Sequence, residues 1–542
     1  MDDVGTLTMD RLLRRNAAEV GDRDFIVIEG SRLTYAGMQA RAEQVAASLR
    51  GLGVRRGDTV AVLMPNCLTF MELLFGCLHL GAVCAPINAR FQRNELRHVI
   101  PDCGASVVVV HDEISPHAEH LDRLGSAFPE IAAAAASDAA EPLSVADAPS
   151  LRWVVSMDAN AAAGVLGPTR FAEAAHDSAN GQAADRSPDG PAMMFYTSGT
   201  TSNPKGCVLT HSALIRVGAM TAQRFEYRDG DVMYDPLPMF HTAVSQPLAA
   251  MMLVRGTFVS QVFPDPDEAM ALIAREGVTQ AFTAFPTITE GILDHPAYDA
   301  DTTLAGLKTL FNVAPPDAQR SIQSRLRHTK LVNAFGMTET AGSATMVRVT
   351  DPDDVRLTTQ GTPMDGLEVE IRGEDGTPLP AGETGEIAIR GITLFGGYHN
   401  APEKNEASFD GRGFWLSGDL GVLTEDGQLL FKGRTKDMLK VGGENVAAIE
   451  IESHLQTHPG VKIAQVVGYP DPTYGELPAA FIEPRAGHAP SEEELIDHCV
   501  GAIASFKVPR VVRFVTEWPM SSTKVQKFKL RDQLVQELDP AS

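Results

Sequence analysis

Short apolar runs alternate with helix-length segments, and this alternation narrows the fold more than any other feature. Residues 58–64 (DTVAVLM) have the length and composition of a buried strand. Residues 68–80 then read as a helix stopping at Gly81, and apolar character returns at 83–87 and 105–111. Such alternation predicts a layered α/β fold. It resumes with a helix over 207–227, an apolar run at 232–238, a helix over 266–276 and a strand over 279–284. Strand ends follow at 308–313 and 330–335, where an open sheet carries its functional residues. Residues 132–190, rich in Ala, Asp, Ser and Gly, contain surface loops, and their composition fixes no further structure.

From 365 to 433 the pattern changes to short strands with Gly-rich turns at 368–371, 385–389 and 428–431, which predicts a small β-rich subdomain. A compact C-terminal α+β domain follows, with helices over 446–457 and 491–502 and strands over 461–469, 477–482 and 510–515. A chain of 542 residues exceeds the roughly 250–300 at which one core stops growing. The expected division is 1–433, a short hinge at 434–437, and a smaller, mobile domain over 438–542.

A formal net charge of −24 argues against nucleic acid or an anionic membrane as a main partner. No run reaches the length of an uncharged membrane span. The six cysteines show no CxxC spacing, which excludes a zinc cluster or disulfide scaffold. The acidic start of the chain lacks a secretory pattern, so cytoplasm is the expected compartment.

Tyr196-Thr197-Ser198-Gly199-Thr200-Thr201-Ser202-Asn203-Pro204-Lys205-Gly206 follows an apolar segment. Hydroxyls and backbone N–H groups in such a loop can surround phosphate oxygens, and Lys205 adds a point charge. The spacing is not GxxxxGK[ST]: Pro204 precedes the lysine and Gly206 follows it. Phe335-Gly336-Met337-Thr338-Glu339 offers a ring for adenine, a close backbone approach at Gly336, a hydroxyl for phosphate and a carboxylate for Mg²⁺. Phe240-His241 ends a predicted strand where a carboxylate pocket can form. Asp419, on the turn Ser417-Gly418-Asp419, can accept both hydroxyls of a ribose.

These segments resemble the signature motifs of the adenylate-forming enzymes: acyl-CoA synthetases, peptide-synthetase adenylation domains and luciferases. The resemblance runs in family order from about 192 to 531. It implies that Thr197, Ser198, Gly199, Thr200, Thr201 and Lys205 hold the ATP phosphates, with Thr200 and Glu339 at Mg²⁺. Phe335 and Gly336 would meet adenine, Thr338 the phosphate, Asp419 the ribose and Arg434 the ribose and phosphate. His241 would shape the acyl pocket and admit the thiol. Lys436 in Gly433-Arg434-Thr435-Lys436-Asp437 corresponds to the family hinge residue. Gly442 and Gly443 would line the pantetheine path. Lys524 corresponds to the catalytic lysine. Six positions depart from the family form: Ser202 for Gly, Phe335 for Tyr, Leu416 for Arg or Lys, Ser417 for Thr, Ala448 for Pro and Thr523 for Gly.

The implied activity is AMP-forming ligation of a small carboxylic acid to CoA through an acyl-adenylate. CoA is the expected acceptor because GRTKDMLKVGGENV resembles the acyl-CoA synthetase form, and because no carrier domain follows Lys524. Transfer to a separate carrier protein and a catalytically silent adenylate-binding relative are the alternatives. Stretches 241–245 and 312–315 carry no charged side chain besides the imidazole. That favours a hydrophobic, medium-chain or compact branched or cyclic acid. The resemblance also admits a homodimer.

Overall fold

The computed structural model describes residues 4–116, 118–177, 187–197, 203–441, 444–471, 474–500, 502–521 and 524–538. Two sheets built on the apolar runs form its larger part. In the first, the strands order as Trp153–Ser156, Ala105–Val110, Thr59–Leu63, Val83–Pro86, Pro191–Thr197 and Lys205–Thr210. All neighbours are parallel except the last pair. The second runs Lys330–Val332, Thr309–Asn312, Gln280–Ala284, Val232–Tyr234, Thr257–Ser260, Asp24–Ile28 and Ser31–Thr34, again with only the last pair antiparallel.

Helices Tyr35–Gly51, Leu68–Leu80, His211–Arg224 and Thr242–Leu253 share one apolar cluster with residues of both sheets. That position explains why Leu68–Leu80 is buried almost all round. Gly218 lets His211–Arg224 lie directly on Thr242–Leu253, because an added Cβ would come within 2.7 Å of Ala249 Cβ and Ala250 N.

Strands Ala334–Met337, Gly342–Met346 and Thr362–Pro363 form a small sheet, and Leu367–Arg372, Gly385–Gly391, Trp415–Leu423 and Leu429–Arg434 an antiparallel one. Beyond Asp437, five strands order as Glu444–Ala447, Met438–Val441, Gly475–Pro484 and Val461–Asp471, with Val511–Phe514 pairing Gly475–Pro484. Their core is separate. The fold is therefore mixed α/β, with a large N-terminal and a small C-terminal domain. Among the described residues no helix is long and apolar enough to cross a membrane.

Several local expectations change. The segment 207–227 is not one helix: residues up to Thr210 pair with Pro191–Thr197, and the helix starts at His211, where the Thr210 hydroxyl accepts from Ala213 N at 3.1 Å. The run 330–335 divides at Asn333 between two sheets. The Asn333 amide donates to Thr359 O at 3.1 Å, and its Oδ1 accepts from Ala334 N. Residues 444–447 are strand, so the helix expected from 446 begins at Ala448. The stretch 132–190 carries regular structure as well as loops. It supplies the edge strand Trp153–Ser156 and buries Val145 and Leu151.

Candidate active site

The hydroxyl-rich loop is the connection of an antiparallel hairpin. Thr197 stands opposite Lys205, so the two ends of the loop lie side by side. Ser198, Gly199, Thr200 and Thr201 lie outside the described residues, as do Gly442 and Gly443. Helix Arg93–Asp102 fastens the base of the hairpin: Tyr196 donates to Asp102 Oδ2 at 2.6 Å, and His98 Nε2 lies 2.9 Å from Pro204 O. Lys205 Nζ sits 5.6 Å from the centre of the Tyr398 ring.

The second signature segment turns sharply. Strand Ala334–Met337 leads into the 3₁₀ turn Thr338–Thr340, which ends at Ala341 with φ 59°. Thr340 holds the turn by donating to Gly342 O at 2.6 Å and accepting from Met337 N. At Gly336 an added Cβ would collide with the Gly342 carbonyl oxygen. Glu339 is buried in consequence, and its Oε1 accepts from the Tyr398 hydroxyl at 2.7 Å. Its backbone oxygen accepts from Phe395 N at 2.8 Å. The hydroxyls of Thr338 and Thr242 lie 3.4 Å apart. This places Thr338 beside His241, the N-cap residue of helix Thr242–Leu253, whose ring packs 4.7 Å from that of Phe240. Lys205, Glu339, Thr338 and His241 are thus drawn into one neighbourhood.

A buried, acceptor-only carboxylate suits a hard cation. Among the described residues no group of three His, Cys, Asp or Glu side chains is arranged to hold a metal alone. The single buried carboxylate of Glu339 matches the donors that Mg²⁺ takes, typically one or two carboxylates with the shell completed by phosphate oxygens and water. Cys207 lies near Glu339, but burial first and that carboxylate second push its thiol well above the ordinary range. It is a packed residue rather than a nucleophile.

A third group forms where strands Trp415–Leu423 and Leu429–Arg434 pair. Asp419 stands opposite Arg434, with Nε 3.5 Å from Oδ1. Gly418 takes a left-handed turn at φ 73°, and its N–H donates to Glu386 Oε1 at 2.8 Å. The Phe335 ring stacks on Phe431 at 5.8 Å, linking this strand pair to the Glu339 segment. Lys436 lies in the turn Thr435–Asp437 that follows Arg434. The backbone of Lys524 pairs with Ser521 in a short ribbon. Neighbouring Lys527 is committed elsewhere, 2.6 Å from Glu452 Oε1.

Sequence patterns assign no role in the site to His98, Asp102, Tyr398 or Phe431. The adjacent glycines were the only local signal for Tyr398. Its partners Glu339 and Lys205 are remote in sequence.

Asp235 lies just before the Pro238–His241 segment and is fully buried. Its Oδ1 accepts from Leu237 N at 2.9 Å, and its Oδ2 has no hydrogen-bond partner among the described residues. Burial raises its carboxyl well above the ordinary value. Below about pH 4, the unfolded aspartate value, both states are protonated and there is no penalty. Above it the unfolded chain ionises while the folded one stays neutral. Stability is therefore lost as pH rises, until the folded-state value is passed. Asp235→Asn removes this dependence. We expect it to melt higher than the parent at pH 7, with the gap closing near pH 4 in paired thermal melts.

The chain matches the model of the AMP-binding enzymes over residues 13–399 and that of their C-terminal domain over 450–525. The putative acyl-CoA synthetase YngI of Bacillus subtilis is 31% identical over 543 residues, covering 98% of this chain and 97% of that protein. Sulfoacetate–CoA ligase of Cupriavidus necator is 31% identical over 530 residues, covering 96% and 97%. Feruloyl-CoA synthase of an Amycolatopsis species is 31% identical over 513 residues, covering 93% and 94%. ATP-bound MatB from Rhodopseudomonas palustris superposes with a TM-score of 0.82 at 27% identity, covering 98% of this chain and 100% of that one. The anthranilate CoA ligase AuaEII in complex with anthranoyl-AMP gives 0.83 at 26%, covering 98% of each. The chain belongs to the adenylate-forming AMP-binding enzymes, in the AMP-forming acyl-CoA ligase branch.

Proposed function

We propose that this enzyme joins a hydrophobic carboxylic acid to CoA, consuming ATP and releasing AMP and pyrophosphate. The observation that carries the reading is the grouping of Lys205, Thr338 and Glu339 beside His241. The relatives' names support CoA as acceptor, and they span acids as different as sulfoacetate and ferulate. The acid class is therefore argued from this chain's own residues. Thr242, whose hydroxyl lies 3.4 Å from that of Thr338, is buried, as are Val244 and Ser245 in the same helix and Asn312 and Ala314 at and just beyond the end of strand Thr309–Asn312. None carries a charge, which favours an apolar tail over a second carboxylate or an ammonium group.

In the first step a carboxylate oxygen attacks the α-phosphorus, giving acyl-AMP and pyrophosphate. Both reactants are anionic, so approach needs compensating charge. Lys205 and the loop hydroxyls, Thr200 included, hold the β- and γ-phosphates, Asp419 holds the ribose, and Phe335 and Gly336 meet the adenine. Arg434 lies near ribose and phosphate, and Thr338 donates to phosphate. Lys524 bridges the substrate and α-phosphate oxygens. Mg²⁺, held at Glu339 with Thr200, supplies charge neutralisation at the phosphate oxygens when bound. In the second step the small domain turns about Lys436, withdrawing Lys524. The thiol passes Gly442 and Gly443, attacks the acyl carbonyl and expels AMP, with His241 shaping its entry.

The test is incubation with ATP, Mg²⁺, CoA and a mixed carboxylic-acid panel, read by mass spectrometry. Acyl-CoA together with AMP, from an acid with an apolar tail, is the expected result. AMP and pyrophosphate without acyl-CoA would transfer the reading to a carrier-protein acceptor. Selective use of a dicarboxylate would overturn the acid class.

A further inference from the structure

The geometry points to Tyr398 as a positioning residue that fixes the Glu339 carboxylate for a divalent cation and couples it to Lys205 of the phosphate loop. The inference rests on the reading of Glu339 as the metal-holding carboxylate.

Tyr398 is buried, and its hydroxyl donates to Glu339 Oε1 at 2.7 Å. Segment 395–398 therefore grips Glu339 twice, because Phe395 N also donates to the Glu339 carbonyl at 2.8 Å. Tyr398 is itself held on both sides. Its N–H donates to Asn405 Oδ1 at 2.7 Å, and Asn405 Nδ2 donates to its carbonyl at 2.9 Å. Tyr398 also forms a backbone bridge with Cys207, and His399 N donates to Gly206 O at 2.7 Å. The residue is thus stitched to the strand that leaves the phosphate loop.

Two cations face the ring, Lys205 Nζ at 5.6 Å and Lys404 Nζ at 5.8 Å from its centre. Positive charge against the π-face draws electron density from the phenol and strengthens its O–H as a donor. A phenol uses one acceptor site of the carboxylate and orients its plane, leaving the remaining lone pairs for a cation. Orientation by such a neighbour is the usual support of a carboxylate metal ligand. The same ring lies beside the lysine expected on the β- and γ-phosphates. Metal and phosphate binding then share one rigid part.

Calorimetric titration of ATP, in EDTA and in saturating Mg²⁺, tests this on the full chain with Tyr398→Phe, Glu339→Gln and the double variant. Hydrogen bonds to charged groups are strong enough that Tyr398→Phe should cut the Mg²⁺-dependent gain in ATP affinity about tenfold, while affinity in EDTA stays within about twofold. Glu339→Gln should abolish the gain, and the double variant should match it. A full gain in Tyr398→Phe beside a lost gain in Glu339→Gln would overturn the role of Tyr398 and leave that of Glu339 standing. Equal losses with and without Mg²⁺ in Tyr398→Phe would reduce Tyr398 to a packing role. A gain surviving in Glu339→Gln would remove the metal reading of Glu339, and this inference with it.

Discussion

Lys524→Ala should lower acyl-adenylate formation by about 10²–10³-fold, the usual cost of removing one group that stabilises charge in the transition state. Transfer from preformed acyl-adenylate to CoA should stay within a few-fold of the parent, because the proposal withdraws Lys524 before the thiol enters. The two half-reactions separate these effects. Pyrophosphate release in a single turnover reports the first, and thioester formation from synthetic acyl-adenylate reports the second. Lys527 cannot substitute, since its ammonium group is held by Glu452 at 2.6 Å. Equal losses in both half-reactions would remove Lys524 from the adenylation step and make it a support of the small domain.

Asp419→Ala should raise the ATP concentration for half-maximal adenylation by about 10²-fold or more. Two hydrogen bonds from a ribose to a carboxylate contribute about 1.5–3 kcal/mol each, and a tenfold change in affinity is about 1.4 kcal/mol. The residue is well placed for this. It is buried, it stands opposite Arg434, and it follows a glycine already in a left-handed turn. Asp419→Asn keeps the shape and should fall between the two. Initial rates against ATP concentration at saturating acid check the prediction. An unchanged ATP requirement in Asp419→Ala would exclude it from nucleotide binding.

Much of this site could be read locally because its chemistry lies in contiguous residues. Thr197 and Lys205 stand opposite each other in one hairpin, and Phe335 to Glu339 occupy one strand end and one turn. Tyr398 shows the limit. Its hydroxyl contacts a carboxylate 59 residues away, and nothing in its own neighbourhood names that partner. Local periodicity failed for the same reason at 207–210. Cys207-Val208-Leu209-Thr210 suits a helix start as well as a strand, and pairing with Pro191–Thr197 decides the matter. At Asn333 one polar side chain bonds to Thr359 O and sends the chain into a second sheet. Burial at the layer interface also lies beyond a sequence pattern. Gly218 looks like an isolated helix glycine until the neighbouring helix, packed against it, shows why a methyl group has no room there.

The central claim is that a carboxylate oxygen attacks the α-phosphorus and leaves with AMP. The most direct measurement uses an accepted acid whose carboxylate carries ¹⁸O in both positions, turned over with ATP, Mg²⁺ and CoA, with the AMP analysed by mass spectrometry. One ¹⁸O in each AMP is predicted, because the bridging oxygen of the acyl-adenylate comes from the acid and remains on phosphorus when the thiol attacks. Unlabelled AMP, or ¹⁸O appearing in inorganic phosphate with ADP as co-product, would contradict the account.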